Sequence, residues 1–296
     1  MTSVLSIHSV SKSYGPIQAL KNISFDIPVG SVFGILGPNG SGKTTLLGIL
    51  LEVLKADAGS FSWFEGMNAD EARRRIGALL ETPNFYHYLS AMDNLEITGA
   101  IKQMEKDDRE RVLKLVGLYE RKNSAFQTYS LGMKQRLAIG NALLGHPKVL
   151  VLDEPTNGLD PAGIAEIREM IKELNRNGIT VIMASHLLDE VEKVCTHVAI
   201  LSKGNLLLSG HVDEVLRHED YIELKAEDME ALQQAVAQLP GMEKITPRQG
   251  FVYLYGKDLN LAYINQYCMN KGVTLTHLVM KKKSLESIFI ELTDPS

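Results

Sequence analysis

Apolar and polar residues alternate along residues 1–30, and turn-forming residues interrupt the alternation at Gly15-Pro16 and at Pro28-Val29-Gly30. A period of two is typical of strands that bury one face, and glycine with proline favours turns. The pattern therefore predicts antiparallel strands that lead into a short apolar run at residues 31–36. The apolar positions of these strands are Val4, Ile7, Val10, Leu20, Ile23, Phe25 and Ile27.

Farther along the chain, continuous apolar runs alternate with segments of helical period. The apolar runs lie at residues 31–36, 149–152, 180–184 and 197–201, and the helical segments at residues 45–54, 110–118, 133–144 and 161–177. Continuous apolar strands are typical of a parallel sheet that is buried on both faces. The alternation predicts an α/β core with a largely parallel sheet. Residues 57–75 follow neither period, and Trp63 and Phe64 look exposed there.

A second domain is predicted to begin near His218. We expect one domain at residues 1–217, with a helical part at about residues 85–145, and a small domain at residues 218–296. The second part is predicted to contain a strand (221–225), a helix (228–238), two strands (243–246 and 251–254), a helix (260–270), a strand (273–278) and a last helix (284–292). This order is the split βαβ pattern, so we predict a small α+β, ferredoxin-like domain.

The composition is that of a folded domain, with 45% apolar and 23% charged residues. The net charge of −5 argues against a nucleic-acid groove as the main binding surface, and the basic run Lys281-Lys282-Lys283 fits a solvated turn. Cys195 and Cys268 lie outside any metal-ligand spacing and fit reduced thiols of a cytosolic protein. Because the sequence holds no window of 18 apolar residues, we expect a cytoplasmic protein that contacts a membrane only through a partner.

The candidate chemistry starts with a glycine-rich loop between the strand at residues 31–36 and the helix that follows. The loop fits the pattern G-x-x-x-x-G-K-[ST], whose backbone N–H groups cradle phosphates at a helix N-terminus. Lys43 would reach the β- and γ-phosphates, and the Thr44 hydroxyl would bind Mg²⁺. The residues expected to bind the nucleotide here are Gly37, Pro38, Asn39, Gly40, Ser41, Gly42, Lys43, Thr44 and Thr45.

Two further motifs narrow the choice among phosphate-binding proteins. The apolar strand at residues 149–152 ends in Asp153 and Glu154, at the sheet edge where parallel sheets place their active sites. Asp153 can hold Mg²⁺, and Glu154 can act as general base for the attacking water. About 20 residues earlier in the chain, Ser130 and Gly132 open a helix and form a second potential anion site, although such a serine is commonly a helix cap.

The motifs resemble the ATP-binding-cassette family over residues 4–217. The resemblance rests on the phosphate loop, the acidic strand and three segments in family order and spacing, Ser130-Leu131-Gly132-Met133-Lys134-Gln135, Gly158-Leu159-Asp160-Pro161 and Ala184-Ser185-His186. It implies a P-loop NTPase cassette with an antiparallel β subdomain and a helical subdomain. Residues 284–293 resemble the C-termini of separate-chain ATPase subunits of drug, bacitracin and lantibiotic-immunity exporters.

The resemblance also implies roles for single residues. Tyr14 would stack on the adenine, and His186 would hold the γ-phosphate and the attacking water. Ser130 and Gly132 would contact the γ-phosphate bound by a second copy in a head-to-tail dimer, and Asp160 would relay between the two sites. The alternatives are a packed surface tyrosine, a helix cap and a structural histidine.

The chain departs from the family pattern where it has Leu131 in place of a second glycine, Met133 in place of glutamine, and Glu81 in place of the glutamine that ligates Mg²⁺ and water. A carboxylate can still ligate Mg²⁺, so Glu81 is expected in the catalytic and metal site with altered coupling to the membrane partner. The aromatic segment at residues 85–89 would line the groove that receives the partner, or else anchor a loop.

The sequence thus predicts the ATP-hydrolysing subunit of an exporter of a drug, a peptide antibiotic or a lipid. It would use ATP and Mg²⁺, pair with a second ATPase copy and bind a membrane-spanning permease at the inner face of the cell membrane, without binding nucleic acid. A soluble ATPase that acts on nucleic acid or the ribosome, and an ATP-dependent regulator of a permease or sensor, are the alternatives.

Overall fold

The computed structural model of the chain describes residues 2–80, 84–103, 107–216, 221–248, 250–256, 260–281 and 284–293. The chain divides into two compact units, of which the first ends at Val212 and the second begins at Asp213. The boundary predicted after residue 217 falls among residues 217–220, outside the described residues. Within the described ranges, no helix is long and apolar enough to cross a membrane.

A six-stranded sheet forms the centre of the first unit. In spatial order its strands are β5 (Ile76–Leu79), β6 (Val149–Asp153), β7 (Thr180–Ser185), β3 (Val32–Leu36), β8 (His197–Ser202) and β9 (Asn205–His211). The first five are parallel to their neighbours, and β9 runs antiparallel to β8. Every residue of β3, β6 and β7 is buried, which explains their continuous apolar sequences. The sequence analysis does not include β9, an edge strand that is mostly half-buried and whose apolar run is limited to Leu206-Leu207-Leu208.

An antiparallel sheet of three strands completes the β structure of this unit. It consists of β2 (Ile17–Pro28), β1 (Ser3–Tyr14) and β4 (Ala58–Trp63), in that spatial order. All seven apolar positions predicted for the first two strands are buried, so that prediction is confirmed. The expectation of an exposed Trp63 is wrong: the side chain is 7% exposed, and its indole N–H donates to Leu50 O at 2.9 Å. Trp63 is buried because β4 pairs with β1 opposite Leu5, a distant partner that the local pattern does not reveal.

Helices flank the sheets of the first unit. They are α1 (Lys43–Leu50), α2 (Ala69–Arg74), α3 (Ala91–Ile101), α4 (Asp107–Leu115), α5 (Leu131–Ala142), α6 (Pro161–Arg176) and α7 (Leu188–Glu192), and α8 (Val212–Leu216) follows β9. Helix α6 has Pro161 in its first turn, as predicted, and it ends just before Gly178, whose φ of 87° provides the left-handed conformation that terminates helices. Its buried stripe contains Ile167, Ile171 and Leu174.

The second unit is a four-stranded antiparallel sheet with helices. Along the chain its elements are β10 (Tyr221–Ala226), α9 (Met229–Val236), β11 (Met242–Arg248), β12 (Phe251–Gly256), α10 (Leu261–Asn270), β13 (Leu275–Lys281) and α11 (Leu285–Thr293). The spatial order of the strands is β11-β12-β10-β13. Ile222, Leu224, Val252 and Leu254 alternate along the two central strands and are buried in one core with the apolar residues of α9 and α10.

Candidate functional site

The glycine-rich loop lies between β3 and α1, and its backbone conformation requires glycine at two positions. Gly42, which precedes the first residue of α1, has a φ of 109°, and a Cβ placed on it would lie 2.6 Å from Ala19 O. A Cβ on Gly37 would lie 2.2 Å from Leu201 O. Both positions exclude a side chain, because Cβ atoms do not approach carbonyl oxygens so closely. The loop can therefore turn tightly around a phosphate at the start of the helix.

Lys43 crosses this loop as a buried cation. Its side chain is 6% exposed, and Nζ donates to Gly37 O at 2.8 Å and to Pro38 O at 3.3 Å. Nζ also lies 3.4 Å from Glu154 Oε1. The ammonium group is thus held over the loop by carbonyl oxygens and a carboxylate, where it can bind a negatively charged phosphate.

Thr44, in the first turn of α1, and Asp153, at the end of β6, bring two side-chain oxygen atoms next to each other. The Thr44 hydroxyl donates to Asp153 Oδ2 at 2.9 Å, and Asp153 is 3% exposed. Hydroxyl and carboxylate oxygens, completed by phosphate and water, are the ligands that Mg²⁺ prefers, so the donor set fits this ion. Among the described residues no group of three or more histidines, cysteines or acids is placed to bind a metal.

Glu154 links the lysine to a histidine at the carboxyl edge of the parallel sheet. Its Oε2 lies 2.8 Å from His186 Nδ1, while Oε1 faces Lys43. The backbone of Glu154 has a φ of 49°, a left-handed value that is uncommon outside glycine, and its N–H donates to Ala184 O at 3.0 Å. The left-handed turn aims the carboxylate between the two basic groups. A carboxylate that contacts both a phosphate-binding lysine and a histidine can accept a proton from a water molecule.

Tyr14 ends β1 with 47% of its side chain exposed. The turn beside it is fixed by Asp57, which accepts hydrogen bonds from Lys12 Nζ and from Ser13 N, both at 2.7 Å. These hydrogen bonds hold the pKa of the Asp57 carboxyl below its usual range. The bond from Lys12 has the larger effect and the bond from the Ser13 amide the smaller one. The Lys12 ammonium lies 5.7 Å from the centre of the Tyr14 ring. The ring is thus available to a planar ligand on a supported strand end.

Ser130, Gly132 and Asp160, three further predicted site residues, lie at the starts of α5 and α6. Ser130 caps α5, since its Oγ accepts a hydrogen bond from Met133 N at 3.3 Å, and Asp160 caps α6 through Gly163 N at 2.9 Å. Both residues are exposed, Gly132 is half-buried and the neighbouring Leu131 is 52% exposed. Their side-chain hydrogen bonds stay within the first turns of their own helices. The structure thus gathers Lys43, Thr44, Asp153, Glu154 and His186 into one cluster. Ser130 and Asp160 lie apart from it as exposed helix caps, and Gly132 is half-buried in the first turn of α5.

Glu81 lies outside the described residues, so its predicted role stays a prediction. The aromatic segment that follows is divided between two roles. Tyr86 and Tyr88 are 52% and 72% exposed, with ring centres 6.1 Å apart. Phe85 instead packs on the buried ring of Phe126, 5.0 Å between centres. The segment is therefore both an anchored loop and an exposed aromatic surface.

The sequence analysis missed two residues that support the site. Asp57 is one, because no local signal joins it to Lys12, 45 residues away. Asn94 is the other: it is 3% exposed and hydrogen-bonds the backbone of Tyr86. The signal for Asn94 was present, since Ser90 and Asp93 form a capping box that starts α3 and an amide then falls on the buried face of that helix.

Comparisons with known proteins agree with this geometry. The sequence profile of the family described as "ABC transporter" matches residues 20–157. The bacitracin transport ATP-binding protein of Enterococcus faecalis is 32% identical over 99% of this chain and 97% of its own length. The lantibiotic transport ATP-binding protein of Streptococcus pyogenes is 38% identical over 71% of this chain and 92% of its own.

Solved structures that resemble this chain also belong to ABC transporters. One is cbiO1 of Clostridium perfringens, part of the ABC transporter complex cbiONQ, with a TM-score of 0.67 and 29% identity over 81% of this chain and 97% of that one. Another is the dimeric, post-hydrolysis structure of the ATP-binding cassette MJ0796 bound to ADP and Pi. It has a TM-score of 0.62 and 28% identity over 70% of this chain and 98% of that one.

Proposed function

The chain belongs to the ABC transporter family and is an ATP-hydrolysing subunit of a transporter, and from this premise we propose that it drives export of a drug, a peptide antibiotic or a lipid. Similarity to the bacitracin transport protein over nearly the whole of both chains, second unit included, supports this substrate class. The observation that carries the catalytic part of the proposal is Glu154, held between Lys43 and His186 at the edge of the sheet.

In this mechanism the residues of the cluster act on bound ATP. Lys43 exchanges its loop carbonyls for β- and γ-phosphate oxygens, which are stronger acceptors because they are charged. Thr44 and Asp153 would hold Mg²⁺, which would neutralise negative charge on the phosphates when bound. Glu154 accepts the proton of the attacking water, and His186 orients that water and the γ-phosphate. We propose Glu81 as a further oxygen ligand of the ion, and Tyr14 as the residue that stacks on the adenine.

The second half of each site comes from another copy of the chain in a head-to-tail dimer. Ser130 and Gly132 would contact the γ-phosphate bound by the partner copy, and Asp160 would connect the two sites. The exposure of Ser130 and Asp160 supports this assignment, as does the similarity to a dimeric cassette. Loss of the γ-phosphate removes charge-assisted hydrogen bonds that hold the copies together, and this loss couples hydrolysis to movement.

A membrane-spanning permease completes the proposed assembly. We place its contact at the exposed Tyr86 and Tyr88, and the membrane itself touches this subunit only through that partner, at the cytoplasmic face. We assign the second unit to the ferredoxin-like class, because a strand–helix–strand–strand–helix–strand order with the spatial order β11-β12-β10-β13 fits that class.

Purification of the native complex from membranes tests the proposal. The affinity-tagged chain, extracted in mild detergent, is expected to bring down a multi-span membrane protein whose presence stimulates ATP hydrolysis. A chain with Tyr86 and Tyr88 replaced by serine serves as the comparison and is expected to lose the membrane protein while it still hydrolyses ATP. Recovery of the chain with ribosomes or nucleic acid, and without a membrane protein, would contradict the exporter assignment.

A further inference from the structure

The four-stranded sheet of the second unit has two unlike faces. Helices α9 and α10 share a buried core with one face. Side chains alternate along a strand, so every second residue of the central strands lies on the opposite face. On that face are Tyr221, Glu223 and Lys225 of β10 and Phe251, Tyr253 and Tyr255 of β12, and cross-strand pairing adds Lys244 of β11 and His277 and Lys281 of β13. We call this set of residues the tyrosine face.

Four aromatic rings form a continuous patch on the tyrosine face. The centre of the Tyr221 ring lies 5.7 Å from that of Tyr253 and 5.7 Å from that of Tyr255. Phe251 extends the patch, because its ring centre lies 6.5 Å from that of Tyr253 and 5.2 Å from that of His277. Each of the four rings is half-buried, so part of it faces solvent. Rings that pack on one another in this way offer apolar surfaces on which planar groups can stack.

Three exposed lysines lie among these rings. The Lys225 ammonium lies 5.4 Å from the centre of the Phe251 ring, and the Lys244 ammonium lies 5.5 Å from that of Tyr255. Lys281 is exposed as well. A lysine side chain is flexible, so its ammonium group can turn from a ring to an anion that arrives beside it. The tyrosine face therefore combines aromatic rings with positive charge, although the whole chain carries a net charge of −5.

Glu223 lies at the centre of the tyrosine face with its charge already balanced. It is 7% exposed, and its Oε2 lies 3.0 Å from Lys281 Nζ and 3.2 Å from His277 Nε2. Burial alone would raise the pKa of this carboxyl, but the hydrogen bonds from Lys281 and His277 outweigh the burial and hold the pKa below its usual value. Glu223 therefore stays ionised and paired, and Lys225 and Lys244 give the face its positive charge.

We propose that the tyrosine face binds a short single-stranded segment of nucleic acid. The bases would stack on Tyr221, Phe251 and Tyr253, and the phosphates would contact Lys225 and Lys244. Such a segment repeats a planar base and an anionic phosphate, and this face repeats rings and cations across neighbouring strands. An acidic peptide would use only the lysines. A second copy of the chain fits less well, since it would set lysines against lysines.

The order of residues along β12 agrees with this ligand. The segment Gly250-Phe251-Val252-Tyr253-Leu254 has two aromatic residues, two positions apart, after a glycine. Four-stranded sheets that stack RNA bases carry the same spacing of glycine and aromatic residues. Val252 departs from that pattern, which has a small residue between the two rings, but its side chain is buried in the core and leaves the rings in place.

This binding is independent of the proposed transport function, because the tyrosine face shares no residue with the cluster around Glu154. A chain that binds both a permease and nucleic acid satisfies both proposals. The expectation that the chain binds no nucleic acid rests on its net charge, which is a sum over 296 residues and does not describe this face.

Fluorescence anisotropy with the full chain and a fluorescein-labelled, single-stranded RNA octamer of mixed sequence tests the proposal. Phe251→Ala removes a ring and is expected to weaken binding roughly tenfold, the effect of one lost base stack. Phe251→Tyr keeps the ring and should bind as wild type does. Tyr263→Ala, which removes an exposed ring from α10, is the control and should also bind as wild type does. A DNA octamer should bind too, whereas an RNA duplex should bind more weakly because its bases are already paired and stacked.

The salt dependence of binding separates the phosphate contacts from the stacking. Lys244→Ala should make the slope of log affinity against log salt shallower by about 0.7 for each phosphate contact that is lost. Phe251→Ala should weaken binding and leave this slope unchanged. Lys271→Ala, at the exposed end of α10, is the matched control and should change neither quantity. Far-UV circular dichroism checks that each variant is folded, and if Phe251→Ala is not, the slope in Lys244→Ala decides.

Four results would overturn the inference. One is a wild-type chain that does not bind the octamer at low salt. Another is wild-type RNA affinity in folded Phe251→Ala together with a loss in Lys244→Ala, which would describe a general surface for polyanions. The third is loss of RNA binding in Lys43→Ala, which would place the RNA at the phosphate loop. The last is displacement of the RNA by octaglutamate at equal concentration, which would indicate an acidic protein partner instead.

Discussion

The proposed nucleotide site has two halves, the phosphate-loop half (Lys43, Thr44, Asp153 and Glu154) and the signature half (Ser130, Gly132 and Asp160 of the other copy). They differ in how far a single chain completes them. In the phosphate-loop half, Lys43 and Asp153 are 6% and 3% exposed, and hydrogen bonds or ion pairs connect them to Thr44 and Glu154. In the signature half, Ser130 is exposed, and within the described part of the chain its side chain accepts a hydrogen bond from the first turn of its own helix. Because the buried charged side chains of the phosphate-loop half already contact one another, they are held in place before any ligand binds. The exposed Ser130, in contrast, can bind a γ-phosphate only when a second copy of the chain brings its ATP to it. One copy should therefore bind ATP, and two copies should be needed to hydrolyse it.

The largest effect is expected for Glu154→Gln, which keeps the shape of the side chain and removes the base. Hydrolysis should fall on the order of 10²-fold or more, which corresponds to about 2.7 kcal/mol of activation free energy. ATP affinity should persist, because Lys43 is untouched. The steady-state rate of phosphate release measures this, with Glu173→Gln, an exposed acid on α6, as the control. A Glu154→Gln chain that turns over at the wild-type rate would remove Glu154 from the mechanism.

Next in size is Lys43→Ala, which breaks the phosphate-loop half alone. ATP affinity should fall about 10²-fold, since hydrogen bonds to charged groups contribute roughly 1.5–3 kcal/mol each. Titration calorimetry on the isolated chain measures the loss. Lys172→Ala, on the surface of α6, should bind ATP as wild type does. Wild-type affinity in Lys43→Ala would refute the phosphate-loop assignment.

Tyr14→Ala should weaken ATP binding by roughly tenfold, because stacking on a base contributes about 1–3 kcal/mol. Tyr14→Phe keeps the ring and should bind normally. Calorimetry with ATP and with inorganic triphosphate separates adenine recognition from phosphate recognition, since triphosphate binding should be indifferent to position 14. Equal losses for both ligands would indicate that Tyr14 supports the fold of the strand end instead.

The smallest effect is expected at Asp57, which only supports Tyr14. Asp57→Asn should lower ATP affinity about twofold, because it weakens exposed hydrogen bonds. The pKa of Asp57 is lower in the folded chain than in the unfolded chain. The ionised carboxylate therefore stabilises the fold at every pH above the ordinary carboxyl pKa, and this stabilisation is lost only as the pH falls through the lowered pKa. Wild-type ATP affinity should therefore show no Asp57-dependent change between about pH 6 and pH 8. A wild-type titration in that range that Asp57→Asn abolishes would contradict this.

The phosphate-loop half could be predicted from the sequence because its residues lie in short contiguous segments. The loop, Lys43 and Thr44 are contiguous, and the acids follow a buried strand whose apolar run is visible by itself. The burial of Trp63, the edge strand β9 and the Lys12–Asp57 pair were missed, since each depends on a partner that is distant in sequence or on half-buried positions. The left-handed backbone of Glu154 could not be read from residue types either, because its surroundings enforce a conformation that glutamate does not prefer.

The comparison of the two halves is tested most directly by ATP-dependent dimerisation in chains that cannot hydrolyse ATP. With saturating ATP and Mg²⁺, size-exclusion chromatography with light scattering should give Glu154→Gln twice the single-chain mass of 32.8 kDa. Adding Ser130→Arg should keep the chain at 32.8 kDa with unchanged ATP affinity, whereas adding Ser209→Arg, an exposed position on β9, should leave the dimer intact. A Glu154→Gln chain that stays monomeric, or a Ser130→Arg chain that loses ATP affinity as a monomer, would contradict the division of the site between two copies.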